Sequence, residues 1–128
     1  MKSILKLGIL LLAGIAIGGA GLSALHAQAK SPAYTIAEIE VIDPAGFQDF
    51  AKRNAVGVKA AGGRFLASRG RIVTSEGTPP KGIAVIAWDD LDKAVGYFAS
   101  SNFKELIPLR DKGAKVRLFH VEGLAAGR

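Results

Sequence analysis

Residues 34–44 read Tyr-Thr-Ile-Ala-Glu-Ile-Glu-Val-Ile-Asp-Pro, and this stretch sets the start of the fold. Its first nine residues are rich in β-branched side chains, which predicts a strand over Tyr34–Ile42. Asp43 can then accept hydrogen bonds as a helix N-cap, and Pro44 suits the first helical position because proline has no N–H to leave unpaired. We therefore expect the chain to pass from this strand directly into a helix that ends near Ala61.

The predicted helix carries one apolar stripe with spacings of three, four and seven residues, as expected when one helical face is buried. The stripe consists of Phe47, Phe50, Ala51, Val58 and Ala61. Gly62-Gly63 follows, and glycine adopts the left-handed conformation of a helix C-terminus without Cβ strain. The helix is therefore expected to stop there.

The rest of the chain supplies three more strands and a second helical region. The strands are expected at Arg64–Ser68 with a continuation past Gly70 as Arg71–Ser75, at Ile83–Trp88 and at Lys115–Glu122. Helical segments are expected after the caps Asp89-Asp90 and Ser100-Ser101, with Pro108 kinking or interrupting the second one. The order β-α-β-β-α-β, joined by right-handed crossovers, predicts an α+β ferredoxin-like sandwich, an antiparallel sheet with the helices on one face.

The segment Ile83–Trp88 is apolar at every position, so both of its faces are apolar. An antiparallel sheet with one face in water normally alternates apolar and polar residues. A strand without that alternation needs cover on its second face. The economical cover is a second copy of the chain, which predicts a homodimer formed sheet to sheet.

Residues 1–29 have the pattern of a secretory signal peptide. Lys2 and Lys6 form a basic start, and Leu7–Leu25 is free of charge. Ala27-Gln28-Ala29 then offers small residues at the positions that a signal peptidase reads. We expect cleavage after Ala29; the alternatives are cleavage after Ala27 or retention as a membrane anchor.

Removal of the leader leaves a single domain at residues 30–128, with its core at 33–123. Such a protein is exported, to the periplasm in a Gram-negative host or as a secreted protein, and it meets a membrane only through an uncleaved leader. Export argues against nucleic acid as a partner, although the chain has a net charge of +6.

Composition and motifs exclude several chemistries. The chain has no cysteine, which excludes disulfides, cysteine-ligated zinc, iron–sulfur clusters and thiol catalysis. His120 is the one histidine after residue 29, and no clustered acids accompany it at metal-ligand spacing. No glycine-rich phosphate loop or nucleophile elbow is present. We therefore expect no metal and no cofactor.

Several strings, taken together, resemble domain-of-unknown-function family thirteen-thirty of the dimeric α/β barrel superfamily. They are Gly62-Gly63-Arg64-Phe65-Leu66-Ala67, Pro79-Pro80-Lys81, Ala94-x-x-Tyr97-Phe98-x-Ser100, Arg110 and Val121-Glu122-Gly123. The resemblance spans Tyr34–Gly123 and implies a ferredoxin-like subunit whose sheet packs on a partner's sheet. It implies no established activity. The superfamily also contains cofactor-free monooxygenases, isomerases and heme enzymes, with sites between the sheet and the helices.

The chain departs from the polar pattern of that family. Members often carry tyrosines where this chain has Phe47, Phe50, Phe98 and Phe103. They often carry arginine and then glycine where this chain has Ser68-Arg69. Four hydroxyl groups are therefore missing, and one guanidinium group is displaced by one residue.

The candidate ligand-binding residues are Arg64, Arg69, Trp88 and Tyr97. An arginine fork suits a carboxylate or another small anion, and Arg64 is favoured because it lies in the family string. The alternative for these arginines is solvation or ion pairing. Trp88 and Tyr97 bracket the start of the second helix, where aromatic residues serve as core or as a ligand platform.

His120 is a weak candidate for a catalytic general base in the cleft. The alternative is a histidine that is hydrogen-bonded at a sheet surface or at a dimer seam.

Three functions remain open from the sequence. The first is an exported homodimer that binds a small, partly apolar or anionic molecule without catalysis. The second is a cofactor-independent enzyme of the monooxygenase or isomerase kind, and the third is a structural or interaction protein. A cleft that contains Arg64 with His120 or Tyr97 favours the first two, whereas a sealed core favours the third.

Overall fold

The computed structural model describes residues 30–126, so the predicted signal peptide at residues 1–29 lies outside the described residues. The elements are β1 (Ala33–Val41), α1 (Pro44–Ala60), β2 (Arg64–Ser68), β3 (Ile83–Trp88), α2 (Leu91–Ala99), α3 (Ser101–Lys104), α4 (Ile107–Gly113) and β4 (Ala114–Glu122). None of the helices in this part of the chain combines the length and the apolar character needed to cross a membrane.

The four strands form one antiparallel sheet in the order β2-β3-β1-β4. This is the α+β, ferredoxin-like arrangement expected from the order of elements. The register pairs Thr35 of β1 with Ile86 of β3 on one side and with His120 of β4 on the other. Residues in such a row point to the same face, so the register assigns every strand residue to one side of the sheet.

The helices cover one face of the sheet, here named the inner face, and the core lies between them. On the sheet side it contains Ala37, Ile39, Ala84, Ile86 and Trp88. On the helix side it contains Phe47, Phe50, Val58, Ala94, Tyr97 and Phe103. The stripe predicted for the first helix therefore faces the core, except that Ala61 follows the last helical residue and is exposed.

The helix ends follow the predicted chemistry with one exception. Gly62 has a φ of 93°, the left-handed conformation that ends α1. The carboxylate of Asp90 accepts a hydrogen bond from Lys93 N at 2.9 Å, and the hydroxyl of Ser100 accepts one from Phe103 N at 3.3 Å. Asp43 occupies the N-cap position of α1, but its side chain accepts no capping hydrogen bond.

The second strand is shorter than predicted. It ends at Ser68, and the predicted continuation over Arg71–Ser75 is wrong. Arg69 has a φ of 54°, outside the extended region, so the chain turns away from the sheet there. A register shift between Phe65 and Ala67 marks a bulge in β2, as is common on edge strands.

The helical region before β4 is divided rather than kinked. A turn at residues 105–106 separates α3 from α4, and Pro108 lies in the first turn of α4. Proline is tolerated there because the first N–H groups of a helix have no partner within the helix.

The other face of the sheet, here named the outer face, is largely apolar and no helix of the described chain covers it. Its central rows hold Tyr34, Ile36, Val85, Ala87, Phe119 and Val121. Phe119 is 43% exposed and Val121 is 50% exposed. At one edge of this apolar area, Arg117 Nε lies 3.3 Å from Glu38 Oε2, in an ionic contact without hydrogen-bond geometry.

Candidate functional site

A cavity of about 200 Å³ lies between the inner face of the sheet and the helices. Most of its wall is apolar, with aliphatic and aromatic residues from both the sheet and the helices. This wall includes Ala37, Ile39, Phe47, Phe50, Phe98 and Phe103. Mainly apolar walls with a few polar groups are the usual lining of a small-molecule site.

The polar side chains that line this cavity are Asn54, Ser68, Arg69 and Arg110. Within residues 30–126, no aspartate, glutamate or histidine lines it. Two guanidinium groups thus face an apolar space without a carboxylate beside them in the wall. The electrostatics of the cavity favour a ligand with a negative charge.

Arg69 is held at the cavity by its backbone. The Arg69 N–H donates to Ile83 O at 2.7 Å, which fixes the residue at the end of the β2–β3 pairing. The guanidinium carbon lies 5.1 Å from the centroid of the Phe47 ring, within the range of a cation–π contact. Among the described residues no carboxylate forms an ion pair with Arg69.

Arg110, on α4, is the second cation of the cavity. Its guanidinium carbon lies 5.9 Å from the centroid of the Phe103 ring. Its Nε and Nη2 donate to Asp111 Oδ1 at 3.1 and 3.0 Å, so a neighbouring carboxylate partly neutralises it. The positive charge of Arg69 is therefore less neutralised by neighbouring carboxylates than that of Arg110.

Asn54 brings an amide to the cavity wall from α1. Its Oδ1 accepts a hydrogen bond from the Tyr97 hydroxyl at 2.7 Å. The Tyr97 phenol is protonated at neutral pH and can donate this bond, and burial raises its pKa further above the usual 10.0.

A second polar chain crosses the core at the other end of the inner face. Trp88 Nε1 donates to Thr35 Oγ1 at 2.8 Å, and Thr35 Oγ1 lies 3.0 Å from His120 Nδ1. Thr35 is fully buried. Its oxygen accepts from Trp88 and its hydrogen is available to His120, an arrangement that needs an unprotonated Nδ1.

The structure does not bring all the predicted site residues to the cavity. Arg69 lines the cavity, and Tyr97 reaches it through Asn54. Trp88 is buried in the core and bonded to Thr35, so it offers no ligand platform. His120 does not line the cavity, although its ring packs 5.1 Å from that of Phe98, which does.

Arg64 lies on the other side of the sheet. It pairs with Ala87, which pairs in turn with Tyr34 of the outer face. Its side chain is exposed and does not line the cavity. The structure therefore does not bring Arg64 together with His120 or Tyr97 in one cleft.

Three polar residues of the wall, Asn54, Ser68 and Arg110, are not among the residues predicted to bind a ligand. A signal for Asn54 is present in the sequence, because it follows Phe50 by four residues and Ala51 by three. That spacing puts an amide on the buried stripe of α1, where a polar side chain needs a hydrogen-bond partner or has a functional role.

The stability of the domain is expected to decrease in mild acid. Burial lowers the pKa of His120, the one histidine of residues 30–126, below its usual 6.5, so protonation favours the unfolded chain. The free energy of unfolding should be highest above pH 6.5 and fall as the pH drops towards the lowered folded-state pKa. Urea unfolding from about pH 7.5 to about pH 5, above the carboxylate range, measures this. A His120→Asn variant should show a smaller decrease; an equal decrease would assign the effect to other groups.

The fold and the cavity define an α+β domain of the ferredoxin-like class with a ligand-sized space under its helices. The chain belongs to the family described as a domain of unknown function, DUF1330, which matches residues 32–124. No curated protein sequence matches it. Among the described residues, no group of three histidine, aspartate or glutamate side chains is placed to hold a metal ion.

Solved structures with the same fold come from diverse organisms. A protein of unknown function from Rhodopseudomonas palustris is 10% identical, with a TM-score of 0.60 over 82% of this chain and 92% of that chain. A hypothetical Arabidopsis thaliana protein is 13% identical, with a TM-score of 0.58 over 78% and 95%. SnoaB, a cofactor-independent oxygenase from Streptomyces nogalater, is 17% identical, with a TM-score of 0.53 over 73% and 94%. At these identities the likeness is one of fold.

Proposed function

We propose that this domain binds a small amphipathic carboxylate in the cavity, without catalysis. One observation carries the proposal: an apolar, aromatic-lined space meets two arginine side chains, and no acidic residue of the described chain lines it. The apolar walls take the body of such a ligand, and the guanidinium groups take its carboxylate.

Arg69 is the residue that we assign to the carboxylate. It follows a bulged strand, has a left-handed backbone, and has no carboxylate partner in the described chain. Non-glycine residues in that conformation cluster at ligand and active sites, where the surrounding structure holds them. A guanidinium group also binds a carboxylate through two parallel hydrogen bonds.

The placement of His120 supports binding rather than acid–base catalysis. A general base must lie within hydrogen-bond reach of the proton that it removes. His120 Nδ1 is already paired with Thr35, and His120 does not line the cavity.

The test uses 4-phenylbutyrate as the probe and isothermal titration calorimetry as the measurement. Arg69→Gln is expected to weaken its binding about tenfold, or about 1.4 kcal/mol, because a charge-assisted hydrogen bond is lost. The matched neutral probe 4-phenylbutyramide should bind more weakly than the carboxylate and should be affected little by the same substitution.

Arg64→Gln is the matched control, since it removes the same charge from the same region of the chain but on the outer face. It should leave the affinity for 4-phenylbutyrate unchanged. Equal losses in both variants would mean that general charge, not the cavity, attracts the probe. Recovery of a chemically altered probe with the parent protein, but not with Arg69→Gln, would assign catalysis to the site.

We also infer that a second copy of the chain covers the outer face, forming a homodimer. The apolar central rows of this face and the pair of opposite charges at its edge support such self-association. An interface that joins two identical copies must be self-complementary, and a sheet face with both charge signs at its edge allows this.

Export is a further proposal, and the sequence pattern of residues 1–29 supports it. Secreted protein whose intact mass corresponds to a start at Lys30 would agree with this proposal. Intact chain recovered in the membrane fraction would contradict removal of the leader, and intact chain recovered only in the cytoplasm would contradict export.

A further inference from the structure

We propose that Tyr97, acting through Asn54, makes the cavity selective for carboxylates that carry a second acceptor oxygen, such as a ketone, in their apolar part. This inference rests on the proposed function, since it names the ligand class of the same cavity. Tyr97 is a positioning residue here, and Asn54 is the residue that would touch the ligand.

The Tyr97–Asn54 hydrogen bond fixes the orientation of the amide. The two atoms that approach to 2.7 Å are both oxygens, and only the phenol carries a hydrogen. With the amide reversed, the phenol would accept from Nδ2 instead, and its own hydrogen would lose the acceptor that it has in the described structure. Amide orientation is assigned from such a network, and here the network favours Oδ1 towards Tyr97.

The packing around the phenol makes this orientation rigid. The Tyr97 ring lies 5.6 Å from that of Trp88 and 5.0 Å from that of Phe98, by ring centroids. Gly57 leaves room for the hydroxyl, because a Cβ at position 57 would lie only 2.5 Å from the phenol oxygen. Tyr97 therefore presents its hydrogen to Asn54 from a fixed place in the core.

The consequence is an amide N–H donor in the cavity wall. Asn54 lines the cavity, its Oδ1 is taken, and no group of the described residues accepts from its Nδ2. The polar wall then consists of donors from Asn54, Arg69 and Arg110, together with the Ser68 hydroxyl. A ligand that covers an amide donor without accepting its hydrogen bond leaves that donor unpaired, which weakens binding.

The experiment compares two probes that differ only in that oxygen, 4-phenylbutyrate and 4-oxo-4-phenylbutyrate. Titration calorimetry on the parent protein should show roughly fivefold tighter binding of the oxo probe, as one neutral hydrogen bond provides. In Tyr97→Phe and in Asn54→Ala the ratio of the two affinities should fall close to one. The double variant should give the same ratio as Asn54→Ala alone, because Tyr97 acts only through Asn54.

The ratio of the two affinities distinguishes the positioning of Asn54 by Tyr97 from a general structural effect. A general loosening of the cavity would weaken the binding of both probes by the same factor and leave their ratio unchanged. Tyr34→Phe is the matched control, because Tyr34 is the other tyrosine of the chain and lies on the outer face. It should retain the parent ratio. A Tyr97→Phe protein that also keeps the parent ratio would overturn the inference.

A second measurement covers the case in which Tyr97→Phe does not fold. In the parent protein, the NMR signals of the Asn54 side-chain NH₂ group should shift more with the oxo probe than with 4-phenylbutyrate. Equal shifts with both probes would overturn the inference. Failure of both probes to bind would overturn the proposed function itself, whereas Arg69-dependent binding of both with a ratio of one would overturn only the present inference.

Discussion

Ile36→Asp is expected to convert a dimer into a monomer. Ile36 lies on the central strand β1, and its cross-strand neighbours on the outer face are Val85 and Phe119. In a symmetric dimer the substitution introduces a carboxylate on each copy, and burying an unpaired charge costs several kcal/mol. Light scattering at micromolar concentration should report the dimer mass for the parent and the single-chain mass for the variant.

Val56→Asp is the control for that experiment. Val56 is 71% exposed on α1, so the same change in charge and residue type falls outside the outer face. This variant should remain dimeric. A parent protein that is monomeric at micromolar concentration would contradict the second-copy proposal.

Thr35→Val is expected to lower the free energy of unfolding by about 2–4 kcal/mol, because it leaves one buried and one part-buried polar group without a partner. The cost is about 1–3 kcal/mol for a buried group and less for a part-buried one. Valine has nearly the shape of threonine, so packing changes little. The loss comes from Trp88 Nε1 and His120 Nδ1, which both contact the Thr35 hydroxyl. Urea unfolding at a fixed protein concentration measures it, since association would shift the apparent stability.

Thr35→Ser provides the comparison, because serine keeps the hydroxyl and loses only a methyl group. It should retain the two hydrogen bonds and unfold closer to the parent than Thr35→Val does. If the valine variant were as stable as the parent, the Trp88–Thr35–His120 chain would not contribute to stability.

The order of elements could be predicted from the sequence because its signals are local. The β-branched run before Asp43-Pro44 and the apolar run Ile83–Trp88 each produce the element expected of them. The end of β2 depends instead on which strand is available for pairing and on the backbone of Arg69. The residue types of Arg71–Ser75 indicate neither the available partner strand nor the backbone conformation of Arg69. The predicted extension of the strand over these residues is therefore wrong.

The candidate site was harder to predict, because it depends on which face of the sheet each residue occupies. Arg64 and Phe65 are adjacent in sequence, yet only Phe65 lines the cavity. The bulge then places Phe65 and Ser68 on the same face although they are three residues apart. Simple alternation cannot anticipate such a shift. The preference for Arg64 rests on its place in the family string, which carries no information about the face of the sheet that its side chain occupies. The spacing of Asn54 on α1 signals a polar residue on the buried stripe, but its partner Tyr97 is 43 positions away in the chain and cannot be identified from that spacing.

The alternation of side chains along the strands separates the cavity from the outer face. Ala37 and Ala84 form part of the cavity wall, while their neighbours Ile36 and Val85 belong to the outer face. Larger or smaller residues at the two alanine positions would reshape the cavity and leave the outer surface as it is. The shape of the cavity and the surface of the outer face can therefore be changed independently of each other by substitution.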